Sequence, residues 1–377
     1  MSYITLLPGR SLKAITIAGS LRSMLSRSLR VKSVALAVAG ATAAALATAT
    51  APEADAFVAG RGHTVARITG PGSINDTVGR YNIIGTDLGI LWDNGRNEIL
   101  AAFGDTQSFN GWSLLRGQLF HIRSNALLRS RDRNLFDGLT FTGHSGPPGH
   151  AKRLIKPTRR EITIVPTGGV SVKGKQYMGI QAVNLWGDAG RWQTRYGALA
   201  VSGNNGRSFK RITAYRPNYK GNRKFQQTSM MKDGGYVYVY GTPSGRYGAV
   251  YLARVPEAKI ENLGAYEYWS VRRWVKARPS AATPIMSAPT GEMSVAYNKY
   301  LGRYVSLATR DGATMRTAPN PQGPWTRGHN IVPANDPMGG YAPFIHPWSL
   351  EGPTMFFTYS IWHGYQVYLM RVNLRRP

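Results

Sequence analysis

From residue 57 onward the chain alternates short runs of β-branched and aromatic residues with clusters of Gly, Asn, Asp and Pro, and no long stretch keeps a helical period. This pattern predicts an all-β protein. Only PEAKIENLGAYEYW, 256–269, reads as a short helix. A loose repeat runs through the polar and apolar positions. An extended segment leads into a strand of the form G-x-x-Y-(V/M)-aromatic, then a strand with small residues or Arg, then a Gly/Pro turn bearing an aromatic. The copies are NEILAAFGDTQ (97–107), GKQYMGIQAVNLW (174–186), GGYVYVYGTPSGRYGAVYLARV (234–255), LGRYVSLATRDGATMRTAPNPQGPW (301–325) and GPTMFFTYSIWHGYQVYLMRV (352–372). Five copies predict a five-bladed β-propeller, with unequal spacing expected where inter-strand loops build a site at one end.

The first 56 residues break the pattern. A basic region carrying Arg10, Lys13, Arg22, Arg27, Arg30 and Lys32 precedes the small-residue apolar run SVALAVAGATAAALAT (33–48) and the Ala-x-Ala ends at Ala51 and Ala56. That is the layout of a secretory signal peptide, 1–56, cut between Ala56 and Phe57; the run is short and Ala-rich for a retained membrane anchor. The expectation is a propeller domain over 57–377, secreted or held at the cell envelope, with no membrane span after cleavage. Cysteine is absent, so stability must come from the core rather than from disulfides.

Charge narrows the partners. Lys and Arg number 47 against 19 Asp and Glu, a net charge of +28, which favours encounter with polyanions without specifying a fold. An anionic cell-envelope polymer is an expected partner. Specific nucleic-acid recognition is not, because no binding motif accompanies the charge.

In so basic a chain each acid is worth separate attention. NIIGTDLGILWDNGRNEILAAFGDTQ (82–107) places Asp87 and Asp105 beside glycines in two strand-like runs joined by DNGRN, a sequence suited to tight reversal. A hairpin centred on Arg96 sets the two aspartates opposite each other on one face, whereas a slip of one residue separates them. Two close carboxylates repel, so one keeps its proton while the other ionises, which suits an acid and a base. The adjacent glycines leave room for substrate. The plainer alternative is an Asx turn at each position.

Glu292 in GEMSV heads a β-run where an inner strand would start near the propeller axis. Glu161 has basic neighbours and reads as half of a surface ion pair. SGNNGRSF (202–209) is similar to the Asp-box turn of sialidase-type propellers. Among residues expected in loops, Trp112, Trp186, Trp192 and Trp348 present flat faces that stack on sugar rings, and Asp188 lies between two tryptophans. His121, His346 and His363 show no metal-ligand spacing, so neither a metal nor another cofactor is expected.

Several segments, in order across 65–372, resemble a known family: GTDLGILWDN, AAFGDTQ, VPTGGVSVKGKQYM, YVYGTPSGRYGAVYLARVPE, YEYW, GEMSVAYNKYLGRYV, PQGPW and GGYAPFIHP. The family is one of secreted actinobacterial proteins, formerly a domain of unknown function and now described as endo-D-arabinanases. The resemblance implies a five-bladed propeller glycoside hydrolase that cleaves α-D-arabinofuranosidic linkages of arabinogalactan and lipoarabinomannan. It implies that Asp87 and Asp105 are the catalytic acids. Glu292 and Arg246 would shape the cleft, and Trp112, Trp186, Asp188 and His346 complete the candidate substrate-binding set. Gln107 departs from the pattern after GDT, which bears on substrate preference. A non-catalytic propeller that binds anionic envelope glycans is the alternative.

Overall fold

The computed structural model describes residues 58–110, 120–333 and 339–376. Five antiparallel sheets follow one another along the chain as the blades of a propeller. Blade 1 is built from Leu88–Asp93, Ile99–Phe103, Ala126–Ser130 and Gly143–His144. Blade 2 comprises Thr163–Val172, Lys175–Trp186, Trp192–Ser202 and Lys210–Pro217. Blade 3 begins with Gln227–Asp233, Tyr236–Thr242 and Gly248–Pro256. Beside its third strand run the ribbon Glu267–Ser270 and Arg273–Lys276 and the strand Pro284–Thr290. Blade 4 is Met293–Asn298, Arg303–Arg310, Gly312–Ala318 and His329–Pro333. Blade 5 takes Gly340–Ile345, Thr354–Ile361 and Gln366–Arg375 from the end of the chain, and its last strand pairs with Val58–Ala59 and His63–Arg67 from the beginning. That pairing closes the ring without leaving an open sheet edge between first and last blades.

Each copy of the repeat falls on the middle of a blade, which is why the count was readable. The middle strands are apolar on both faces because each blade packs between two others. Ile99, Ala101 and Phe103 meet blade 5, while Leu100 and Ala102 meet blade 2. Five such clusters, one per blade boundary, form the core. SGNNGRSF is the turn before the outer strand of blade 2, tied by Ser202 Oγ accepting from Gly206 N at 2.8 Å and Asn204 Oδ1 accepting from Ser208 N at 3.0 Å. Glu161 does pair with Arg211, at 3.0 Å, although its side chain is only 3% exposed.

Two local expectations need correction. Residues 256–269 form no α-helix: short 3-10 turns at Glu257–Lys259 and Leu263–Ala265 feed directly into the strand Glu267–Ser270, whose consecutive Tyr268 and Trp269 favour a sheet. An α-helix described in the structure is Thr77–Tyr81, started by the Asp76 side chain accepting from Gly79 N. The proposed leader, 1–56, lies outside the described residues. No helix among the described residues is long and apolar enough to cross a membrane.

Candidate active site

The inner strands of the five blades start at one end of the ring, and their first residues surround a cavity of about 970 Å³. Blade 1 brings Asp87 and Leu88, blade 2 Val165–Thr167, blade 3 Gln227–Ser229, blade 4 Gly291–Met293 and blade 5 Gly339–Tyr341. Asp105 and Gln107, which follow the second strand of blade 1, complete the floor. Aromatic rings also line the cavity: Trp186 and Trp192 from the blade 2 hairpin, and Trp362 and Tyr365 from the blade 5 hairpin. Trp186 is 47% and Trp362 64% exposed, the condition for a stacking platform rather than a core residue.

The hairpin that carries the acids holds the expected register over most of its length. Ile90, Leu91, Trp92 and Asp93 pair with Ala102, Ala101, Leu100 and Ile99 about a turn containing Arg96. Gly85 and Gln107 resume that register beyond the site. Between them the strand slips: Leu88 opposes Phe103, and Gly104 N donates to Asp87 O at 3.1 Å. The slip comes from a bulge in which both Leu88 (φ 70°) and Gly89 (φ 76°) are left-handed. Blade 5 anchors it, with Ser360 Oγ accepting from Leu88 N at 2.7 Å and Thr358 Oγ1 donating to Gly89 O at 2.7 Å. Asp87 therefore lies across Gly104, not directly opposite Asp105. A Cβ at Gly104 would come within 2.2 Å of Asp87 Oδ1, so this glycine makes room for the carboxyl of Asp87 and not, as the sequence implied, for substrate.

Both aspartates nonetheless line the cavity and interact. Asp87 Oδ2 accepts from the Tyr341 hydroxyl at 2.9 Å, while Oδ1 is enclosed and lacks a partner of hydrogen-bonding geometry. Burial and then the negative charge of Asp105 push the Asp87 carboxyl up to about 7, against the opposing effects of Tyr341 and Arg246. Asp105 accepts from the Thr163 hydroxyl of blade 2. Burial raises it to about 6, restrained by that bond and by the Arg153 guanidinium.

Glu292 is treated differently by the same cavity. Burial opposes its ionisation, but Arg246 grips it through Nε at 3.1 and 3.0 Å and Nη2 at 2.8 Å and holds it below the usual carboxylate range. The Arg246 guanidinium also lies over the Tyr341 ring, 4.6 Å from its centre. Glu292 and Arg246 are thus a fixed ion pair in the wall.

The remaining expected site residues divide. Trp186 and Asp188 line the cavity, Asp188 in the exposed turn that Arg246 N fastens through Gly190 O at 2.9 Å. Trp112 lies outside the described residues. His346 does not reach the cavity: it follows Ile345 at the far end of the inner strand that begins beside Tyr341. It is fully buried against Trp348, with ring centres 5.9 Å apart, and burial pushes it down to about 3, so the ring is neutral. Tyr341, Tyr365, Trp362 and Thr163 are members that sequence reasoning missed. Among the described residues, no group of three or more His, Cys, Asp or Glu side chains is placed to hold a metal ion.

Fold and cavity define a five-bladed propeller with a carboxylate pair set in an axial pocket. The chain belongs to the family described as Domain of unknown function (DUF4185), whose model matches residues 72–371. It is 30% identical over 308 residues to the Notoamide biosynthesis cluster protein J of Aspergillus sp. (strain MF297-2), covering 75% of this chain and 81% of that protein. It is 29% identical over 304 residues to protein J' of Aspergillus versicolor, covering 75% and 82%. These relatives are fungal, whereas the motifs resemble an actinobacterial family. Among solved structures, an exo-beta-1,3-galactanase from Phanerochaete chrysosporium shares the fold at 10% identity and a TM-score of 0.50, over 82% of this chain and 64% of that one.

Proposed function

We propose that this protein is a glycoside hydrolase acting on a polysaccharide, and specifically that it cleaves α-D-arabinofuranosidic linkages of cell-envelope arabinan. The observation that carries the reading is the unequal carboxylate pair: Asp105, raised to about 6, and Asp87, raised to about 7, share one cavity walled by exposed tryptophans. Between those values Asp105 is largely ionised and Asp87 largely protonated, the division that glycoside hydrolysis requires. Asp87 gives its proton to the leaving glycosidic oxygen as the bond to the anomeric carbon breaks. Asp105 takes a proton from the water whose oxygen joins that carbon, or attacks the carbon itself and is released by water in a second step. Proton exchange with solvent restores both groups. Trp186 and Trp362 supply stacking faces for furanose rings on either side.

The enzyme fold shared with a galactanase is consistent with this chemistry, and the choice of arabinan rests on the motif resemblance. Export to the envelope rests on the basic, apolar and Ala-x-Ala layout of 1–56. The basic excess then draws the enzyme to an anionic wall polymer, with no specific role for nucleic acid. The test is to incubate purified protein with arabinogalactan and measure new reducing ends. Release by the wild type and none by Asp87→Asn or Asp105→Asn supports the enzyme; retention of the polymer without release supports a binding module instead.

A further inference from the structure

Two backbone outliers lie beside the site on neighbouring blades and share one core cluster. In blade 1 the left-handed Leu88 follows Asp87, and in blade 5 the left-handed Ala342 (φ 54°) follows Tyr341. Neither residue is a glycine, so each conformation is held against an intrinsic cost by its neighbours. Leu88 is held by Ser360, and Ala342 by Thr309, whose Oγ1 accepts from Ala342 N at 2.7 Å. The inner strand of blade 5 is irregular between Tyr341 and Phe344, as the blade 1 hairpin is between Leu88 and Ile90. These matched irregularities bring the Tyr341 hydroxyl to Asp87 Oδ2.

We infer that Tyr341 is a positioning residue for Asp87: its hydroxyl fixes the carboxyl plane with Oδ1 over Gly104, while Arg246, forked onto Glu292, fixes the Tyr341 ring. The inference rests on the proposed role of Asp87 as proton donor. It gives the buried ion pair of blades 3 and 4 a function apart from contacting sugar. With Oδ1 closed off over Gly104 the proton that Asp87 delivers must leave from Oδ2, and a carboxyl free to rotate would spend less time with Oδ2 toward the leaving oxygen; misplacement at this scale is costly in rate. Tyr341 is only 4% exposed, and burial followed by the Asp87 charge keeps its phenol well above its ordinary range, so it stays a donor at every working pH. Tyr365, beside the same carboxyl, is likewise held protonated by burial and then by Asp87.

The test is Tyr341→Phe, which keeps the ring under Arg246 and deletes the hydroxyl. The hydroxyl stabilises ionised Asp87, so its loss should move the alkaline limb of kcat/KM upward by about one pH unit. It should also lower kcat about tenfold with KM little changed. An unmoved limb with kcat near wild type overturns the inference. Asp87→Asn in the same assay separates the two failures: if that variant stays active the role of Asp87 as proton donor falls, and if it is inactive while Tyr341→Phe behaves as wild type only the positioning role falls. A readout that needs no variant is the assigned Tyr341 Cζ resonance in 13C-tyrosine-labelled protein. It should titrate together with the Asp87 carboxyl carbon, and a Tyr341 signal indifferent to that titration also overturns the inference.

Discussion

Asp87 and Glu292 line the same cavity, each at the start of an inner strand and each desolvated, yet burial and neighbours drive them to opposite states. Glu292 receives three contacts from one guanidinium and stays ionised. Asp87 receives one phenol on one oxygen, nothing of bonding geometry on the other, and the repulsion of Asp105. The difference teaches that depth alone does not make an acid; the placement of the Arg246 guanidinium does. Arg246 is committed to Glu292, and that commitment leaves Asp87 free to hold a proton near neutral pH.

The strongest way to break the comparison is through the chemistry. Asp87→Asn and Asp105→Asn should each lower the rate of reducing-end release by about 10² to 10⁴, the usual weight of a positioned acid or base, while circular dichroism shows an intact fold. Glu292→Gln, whose parent group stays ionised and takes up no proton within the working range, should lose far less. Next in size is the ion pair itself. Arg246→Met strands Glu292 in the wall and should destabilise the protein by about 3 kcal/mol in urea unfolding, and Glu292→Met added to it should recover much of that loss.

A pH test sharpens the contrast further. The folded Asp87 carboxyl titrates at about 7 against an ordinary 3.8, so the native state binds the proton more tightly than the unfolded chain. Its contribution is fully present below the ordinary value and is lost as pH rises toward about 7, on the order of 4 kcal/mol in all. Asp87→Asn should therefore stabilise the fold at pH 8 relative to wild type by a few kcal/mol, with the gain shrinking as the pH is lowered. Smallest is the platform: Trp186→Ala should raise KM several-fold, about 1 kcal/mol, with kcat nearly unchanged.

Much of this was legible in the chain. The five repeats marked the blades because each middle hairpin must be apolar on both faces, and the DNGRN turn fixed the hairpin register from Ile90 to Asp93. The bulge was not legible. Leu88 adopts a left-handed conformation that its side chain disfavours, and the reason lies in Ser360 and Thr358 of another blade. Gly104 was conspicuous but its purpose was misjudged, since the group it accommodates is Asp87. Tyr341 lies 254 positions from Asp87 and is one of 20 tyrosines, so no local signal singled it out, although the segment GGYAPFIHP was noticed. His346 in that same segment was misplaced because a strand carries its two ends to opposite ends of the blade.

The most direct test of the unequal pair is the pH dependence of kcat/KM for arabinan cleavage by the wild type. Ionisation of Asp105 at about 6 and of Asp87 at about 7 predicts a narrow bell with its limbs at those values. A rate that stays level from pH 5 to pH 9 would contradict it.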